Sequence, residues 1–344
     1  MLNRTQDYLK DVLTENISFG KKRIDDFISN HAPRYRPIFN YVSDDILFID
    51  PEKSDKELEL HLHAQWYEVE RQLVIEGHDI MQPQNLEQVG EYKSRLQAYL
   101  QKAEDLKKSD LANYVSHRKV IIDLMQKSIE RLESGKYARE DLIHELIMPM
   151  RKDSSELFLD SCNLWLIDER LAFHSYLASD KTLTSMPIVD TDSTKEPDLL
   201  ALNTYDNALL VTEKNLGPMA SITVVEIKRP MRNDAKAGED KDPIEQALGY
   251  LKRVRDGKVQ TPTGRPIHTP SEIPGYCYVI ADLTPSIIER CEILDLTKTH
   301  DGMGYFGFHK AYKAYIEVIS FDRLVTLAKE RNRAFFDKLG LPAN

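Results

Sequence analysis

The sequence predicts an α/β (α+β) protein in two parts, a helical N-terminal region over residues 1–150 and a mixed central sheet flanked by helices over residues 151–344. Three observations predict it. Apolar residues in the first part recur with the 3.6-residue period of an amphipathic helix. After Pro149 that period gives way to short runs dense in β-branched residues. From there strands and helices alternate to the C-terminus, the order of an α/β or α+β domain.

In the first part, Lys56 to Glu76 places Leu58, Leu62, Trp66, Val69 and Leu73 on one stripe. Ser54, three residues before Glu57, is the start of a capping box. The segment HAPRYRPIF carries two prolines and is expected to be a turn or an extended link. Two further helices are expected over Leu86–Leu106 and Leu111–Leu132, joined near Ser109–Asp110, with mixed charges that suit a solvated face or an arm for self-association.

In the second part, a helix is expected over Ser154–Ser179, then strands over Asp198–Leu202, Ala208–Thr212 and Ile222–Ile227. The last, in ITVVEIK, has the character of a buried central strand. A helix follows over Pro243–Asp256, with proline suited to its first turn. Strands at Tyr276–Ala281 and Ala314–Ser320 and a closing amphipathic helix over Phe321–Leu339 complete the series. The loop Gly257–Pro274 is expected either to cover the neighbouring site or to be a plain insertion.

No run approaches 18 apolar residues, so no membrane-spanning helix is expected. The start, MLNRTQDYLKDVL, lacks the pattern of a secretory signal. Cys162, Cys277 and Cys291 stand too far apart for a disulfide framework or a zinc pattern. A cytoplasmic location is expected. The formal net charge of −10 argues against a nucleic-acid partner only if it is evenly spread. Between Ser221 and Pro270, ten Lys and Arg face seven acids, so this window is locally basic.

Hydrolysis of a phosphodiester near neutral pH needs an activated water, neutralisation of the transition-state charge and a stabilised leaving oxygen. Carboxylate-bound Mg²⁺ can supply all of these. Asp198 follows a proline at the start of a strand. Glu226 and Lys228 end the most apolar strand, and positions i and i+2 of a strand share a face. The same acid-x-lysine spacing at Glu91, Asp105 and Glu239 lies in helical or loop-like sequence, where it has no such meaning. The bland alternative at Glu226 is a weak surface ion pair.

EPDLL, then VVEIKRP with its Glu226 28 residues after Asp198, then the helix PIEQALGYL together resemble the PD-(D/E)xK nuclease superfamily. The likeness covers about 170 residues, roughly Ser154 to Ser320, and extends to the nuclease domains of some bacterial anti-phage proteins, the Shedu type among them. It implies a restriction-endonuclease-like domain and Mg²⁺, or Mn²⁺ in its place, held by Asp198, Glu226 and the carbonyl of Ile227. It makes Lys228 the catalytic lysine and Gln246 the glutamine of the following helix, and it implies products with a 5′-phosphate and a 3′-hydroxyl. It asks for a helix acid, for which Glu169 in WLIDERLAFHSYL is favoured over Asp168, Glu156 and Asp160.

Arg229, Arg232, Lys252, Arg253 and Arg255 flank the expected site and are its candidate phosphate contacts, although each alone is more often a solvated charge. His174 is expected to be structural, and His61 and His63 diverge on a helix and make a poor metal pair. The expected partners are nucleic acid, DNA rather than RNA, a second copy of the chain, and a further protein component supplying recognition or a switch. The alternative function is an inactive nuclease fold serving in nucleic-acid or protein binding.

Overall fold

The computed structural model describes residues 18–47, 49–50, 52–81, 89–131, 137, 139–157, 162–205 and 219–341. Contacts divide the chain into two compact units, one of Met1–Val120 with Asn332–Asn344 and the other of Ile121–Arg331. The expected strand Ala208–Thr212 lies outside the described residues.

The first unit contains α1 (18–30), α2 (Asp44–Leu47), α3 (Asp55–Ile80) and the greater part of α4 (Val89–Ile129). The capping box at Ser54 forms in full: its hydroxyl accepts the Glu57 N–H, and the Glu57 carboxylate accepts the Ser54 N–H at 3.0 Å. Leu58, Leu62, Trp66 and Val69 are buried as the stripe predicts, against Ile24, Phe27, Tyr35 and Ile38. Two expectations change here. HAPRYRPIF is neither a simple turn nor extended, because Pro33–Asn40 winds into a 3₁₀ helix that buries Tyr35 and Ile38. The pair of helices joined near Ser109–Asp110 is one continuous α4, since serine and aspartate cost a helix only tenths of a kcal/mol and Ser109 falls on the buried seam with Leu106 and Ala112.

The second unit opens with α5 (Glu140–Ile147) and is built on one eight-stranded sheet, as the mixed-sheet expectation requires. In chain order the strands are β1 (Lys152–Asp153), β2 (Tyr176–Ser179), β3 (Val189–Asp190), β4 (Leu199–Tyr205), β5 (Met219–Ile227), β6 (Lys258–Val259), β7 (Gly275–Ile280), β8 (Thr297–Lys298), β9 (Gly304–His309) and β10 (Ala314–Ile319). The sheet runs β1-β2-β4-β5-β7-β10-β9-β8, while β3 and β6 pair as a separate ribbon. β5, β7 and β10 are mutually parallel in that order, and the remaining neighbours are antiparallel.

The helix α6 (Pro243–Asp256) is the crossover between β5 and β7, and its Ile244, Ala247, Leu248, Leu251 and Val254 pack with Ile222, Val224, Cys277 and Val279. Asp242 caps it, accepting the Ile244 N–H at 2.9 Å. The helix α7 (Pro285–Ile293) precedes β8, and α8 (Phe321–Leu339) has the bounds the sequence predicts. Among the described residues no helix is long and apolar enough to cross a membrane.

The expected helix Ser154–Ser179 does not form. Short 3₁₀ turns at Leu164–Leu166 and Glu169–Ala172 lead into β2, whose four residues are all buried and pair with β4. The Asp168 side chain caps the second turn by accepting the Arg170 N–H at 2.8 Å, and pairing within the sheet overrides the helical pattern. The Gly257–Pro274 loop does not cover the end of β5. It leads into Gly275, which pairs with Ile222, four residues before Glu226 along β5, and it buries Ile267 and Ile273 in the core.

Candidate active site

The register of β4 on β5 sets Leu199 opposite Val225, so the next pair outward is Asp198 and Glu226. Cross-strand partners share a face, and this face is the one that α6 covers, because Val224 and Leu200 pack into the same cluster as Ala247 and Leu251. Glu226 is 1% exposed, Lys228 is also buried, and Asp198 is half-buried at the rim. The Ile227 N–H donates to Asp198 Oδ2 at 2.6 Å, which fixes the carboxylate against the end of β5. The Lys228 ammonium donates to Glu226 Oε1. The other oxygen, Glu226 Oε2, is buried with no hydrogen-bond partner.

A third carboxylate arrives from α5. Glu140 Oε1 lies 4.0 Å from Lys228 Nζ, and its Oε2 accepts the Arg229 N–H at 2.8 Å. His144, one helical turn further on, is buried with its Nε2 2.8 Å from Ser179 Oγ. From α6, the Gln246 side-chain amide donates to the Tyr250 hydroxyl at 3.0 Å. Tyr250 is buried within range of the Glu226 and Asp198 charges.

The electrostatics follow from this crowding. Burial raises the Glu226 carboxyl well above the ordinary range, and the charge of Asp198 adds to it against the opposing pull of Lys228. Loss of solvent raises Asp198 as well, opposed by Lys228 and the Ile227 N–H. Burial pushes the Lys228 ammonium down, but the surrounding carboxylates outweigh it and hold the group above its usual value. Glu140, Asp198 and Glu226 ionised beside one ammonium would leave a local charge of −2.

Hard oxygen donors with one unpartnered buried oxygen among them suit Mg²⁺, which keeps several waters and takes one or two carboxylates rather than a closed protein cage. Among the described residues no three acidic, histidine or cysteine side chains form a group that could hold a metal ion. Asp198 and Glu226, opposite one another across β4 and β5, are the pair of carboxylates to which an ion could be fitted.

Of the residues singled out by sequence, Asp198, Glu226, Ile227 and Lys228 come together, and Gln246 stands behind them through Tyr250. Glu169 does not join them. Its segment serves the opposite face of the sheet, where the Asp168 and Arg170 charges act on Tyr278, the partner of Val225. The helix-borne acid next to Lys228 is Glu140, which the sequence did not single out. The available signal was Glu140 and His144 at a four-residue spacing on the short amphipathic helix EDLIHELI.

Arg255 is withdrawn from the phosphate contacts, since it is buried and donates to the carbonyl oxygens of Tyr312, Ile273 and Lys313. Arg232 pairs with Asp234, Lys252 with Asp256 and Arg253 with Glu239, while Arg229 is exposed directly after the site. His174 lies 3.0 Å from the Leu171 carbonyl, as a structural histidine would, and burial lowers its pKa. Comparison with protein families, characterised proteins and solved structures finds no match to this chain.

Proposed function

We propose that this protein is a divalent-cation-dependent phosphodiesterase of the PD-(D/E)xK kind that cuts nucleic acid, with DNA as the favoured substrate. One observation carries the reading. Carboxylates from α5, from the start of β4 and from the end of β5 converge on one lysine and leave a buried carboxylate oxygen unpartnered. A charge excess of this kind is costly to bury, so a fold that keeps it needs a use for it.

In this reading Asp198 and Glu226 hold Mg²⁺, or Mn²⁺, with Glu140 beside them. The ion supplies charge neutralisation at the phosphoryl oxygen and a more acidic water. Lys228 orients the attacking water and offsets the negative charge that develops on the phosphorus oxygens. The Ile227 N–H holds Asp198, and the Arg229 N–H holds Glu140, so both acids are positioned before substrate arrives. Tyr250 and Gln246 wall the site on the α6 side. Exposed Arg229 is placed to meet the phosphate that follows the scissile bond.

Self-association belongs to the same proposal. On α3 and the residue that caps it, Leu60, Tyr67, Val74 and Met81 are exposed at seven-residue intervals, an apolar row suited to a second copy. Two copies would bring two sites to the two strands of a duplex, and light scattering across a dilution series tests this: a constant mass near 39.7 kDa refutes it.

The decisive experiment incubates the purified chain with plasmid, single-stranded DNA and RNA in Mg²⁺, Mn²⁺ or chelator. Cleavage that needs the ion and vanishes in Asp198→Ala supports the reading. Cleavage retained by Asp198→Ala refutes the site. Binding of DNA without cleavage in either ion moves the protein to the inactive binding module.

A further inference from the structure

On the sheet face opposite α6, at the β8–β9–β10 end, lies a cavity of about 570 Å³ lined by Thr299, His300, Asp301, Phe306, Tyr315, Glu317 and Arg323. That volume is of the size that holds a small organic ligand. Phe306 pairs with Glu317, and Tyr315 pairs with Phe308, so all four share one face and Phe306 and Tyr315 are diagonal neighbours beside Glu317. Diagonal positions stand roughly 7–8 Å apart along the backbone, so the two aromatic side chains flank a space about as wide as one flat guest needs. Phe306 is 39% exposed, so the slot opens to solvent.

The floor of the slot is polar and incompletely satisfied. Glu317 Oε2 accepts the Tyr315 hydroxyl at 3.1 Å, which leaves most of its acceptor capacity free. Arg323 is anchored by Nη1 to both oxygens of Asp301 at 2.9 Å, and its Nη2 forms a long ion pair with Glu317 Oε1 at 3.9 Å. Its buried Nε–H has no partner. Gly304 lets this side chain approach: a Cβ there would meet Arg323 Cδ at 3.2 Å and the Val318 carbonyl oxygen at 2.8 Å. A guanidinium donor therefore stands next to a carboxylate acceptor, beneath two rings.

We propose that this pocket binds an unpaired guanine base. Guanine is the base whose edge offers an acceptor, O6, beside two adjacent donors, N1–H and N2–H. Arg323 donates to O6, the Glu317 carboxylate accepts from both donors, and the ring stacks between Phe306 and Tyr315. Adenine presents one exocyclic donor beside an acceptor and cannot engage the carboxylate through two bonds. The sugar and phosphate lie outside, by His300. The site is independent of the cleavage proposed at Asp198 and stands or falls without it.

Calorimetric titration of the full chain in chelator, with GMP, AMP, CMP and UMP, tests the pocket. A thymidine decamer with one central guanine, run beside an all-thymidine decamer, separates a free nucleotide from a base within a strand. GMP, the guanine decamer or both should bind about tenfold or more tightly than their counterparts. Glu317→Gln should erase that preference, and Phe306→Ala, at the exposed edge, should weaken all binding with the circular dichroism unchanged. Equal affinity for all four nucleotides and both decamers, no binding, or a preference that survives both substitutions overturns the proposal.

Discussion

Two buried charge clusters sit at opposite ends of the short path from β5 to α6, and they are resolved differently. At the α6 cap, Asp242 accepts the Ile244 and Glu245 N–H groups and is paired with Arg290 Nε, while Arg290 Nη2 donates to Glu245 at 2.5 Å. Neither carboxylate of that cluster has a buried oxygen left without a partner. At the end of β5, one lysine serves three carboxylates and Glu226 Oε2 is orphaned. The first cluster ties α6 to α7 and is complete in itself. The second leaves one buried carboxylate oxygen without a partner, and the proposed ion site rests on that difference.

The strongest way to break this comparison is through rate. Asp198→Ala should lower ion-dependent cleavage by several orders of magnitude with a urea midpoint close to the parent, and Lys228→Ala should lower it as far while also costing stability, because Glu226 stays buried without its cation. A large loss of stability in both variants, rather than of rate, would make the second cluster structural too. Arg290→Ala should do the reverse. It leaves Asp242 buried without its cation, which costs about 3–5 kcal/mol in urea unfolding, while cleavage per folded molecule is kept. A silent Arg290→Ala would erase the contrast.

Cation binding sharpens it further. With the ion at about one hundred times its dissociation constant, the parent should gain about 2.7 kcal/mol of stability. Asp198→Ala should gain little, and Arg290→Lys should gain as much as the parent. Equal thermal shifts in the parent and Asp198→Ala would remove the ion from this site.

A smaller effect follows from the raised carboxyl of Glu226. The folded chain holds this proton more tightly than the unfolded chain, so the stability cost of the buried carboxyl grows as pH rises from the ordinary carboxylate range and is complete above its folded pKa. Glu226→Gln should therefore melt higher than the parent in chelator at neutral pH, by about 2–4 °C per kcal/mol recovered. The difference should shrink as pH falls through the folded pKa towards the ordinary carboxylate range. A difference independent of pH would mean that the charge carries no such cost. Smallest of all, Glu169→Gln should leave cleavage unchanged, whereas Glu140→Gln should lower it by roughly 10–100-fold, the scale of a supporting group at a metal site.

Local chemistry was legible wherever a few neighbouring residues settle the outcome. Asp242 and Pro243 fix where α6 begins, and Ser54 with Glu57 fixes the start of α3. The β-branched run through Glu226 yields a central strand, and the two-residue period alone sets Glu226 and Lys228 on one face. What the sequence could not assign depends on partners distant in the chain. β2 is a strand because β4 pairs with it, although its own residues read as the end of a helix. Arg255 looks like a surface cation beside the site and is buried because the carbonyl oxygens of Ile273, Tyr312 and Lys313 converge on it. Glu140 on α5 meets Lys228 from 88 positions away along the chain, a proximity that only the tertiary fold creates. Spacing determines which side chains share a face. Only the tertiary fold decides which faces meet, because that choice is made by burial and pairing summed over the whole unit.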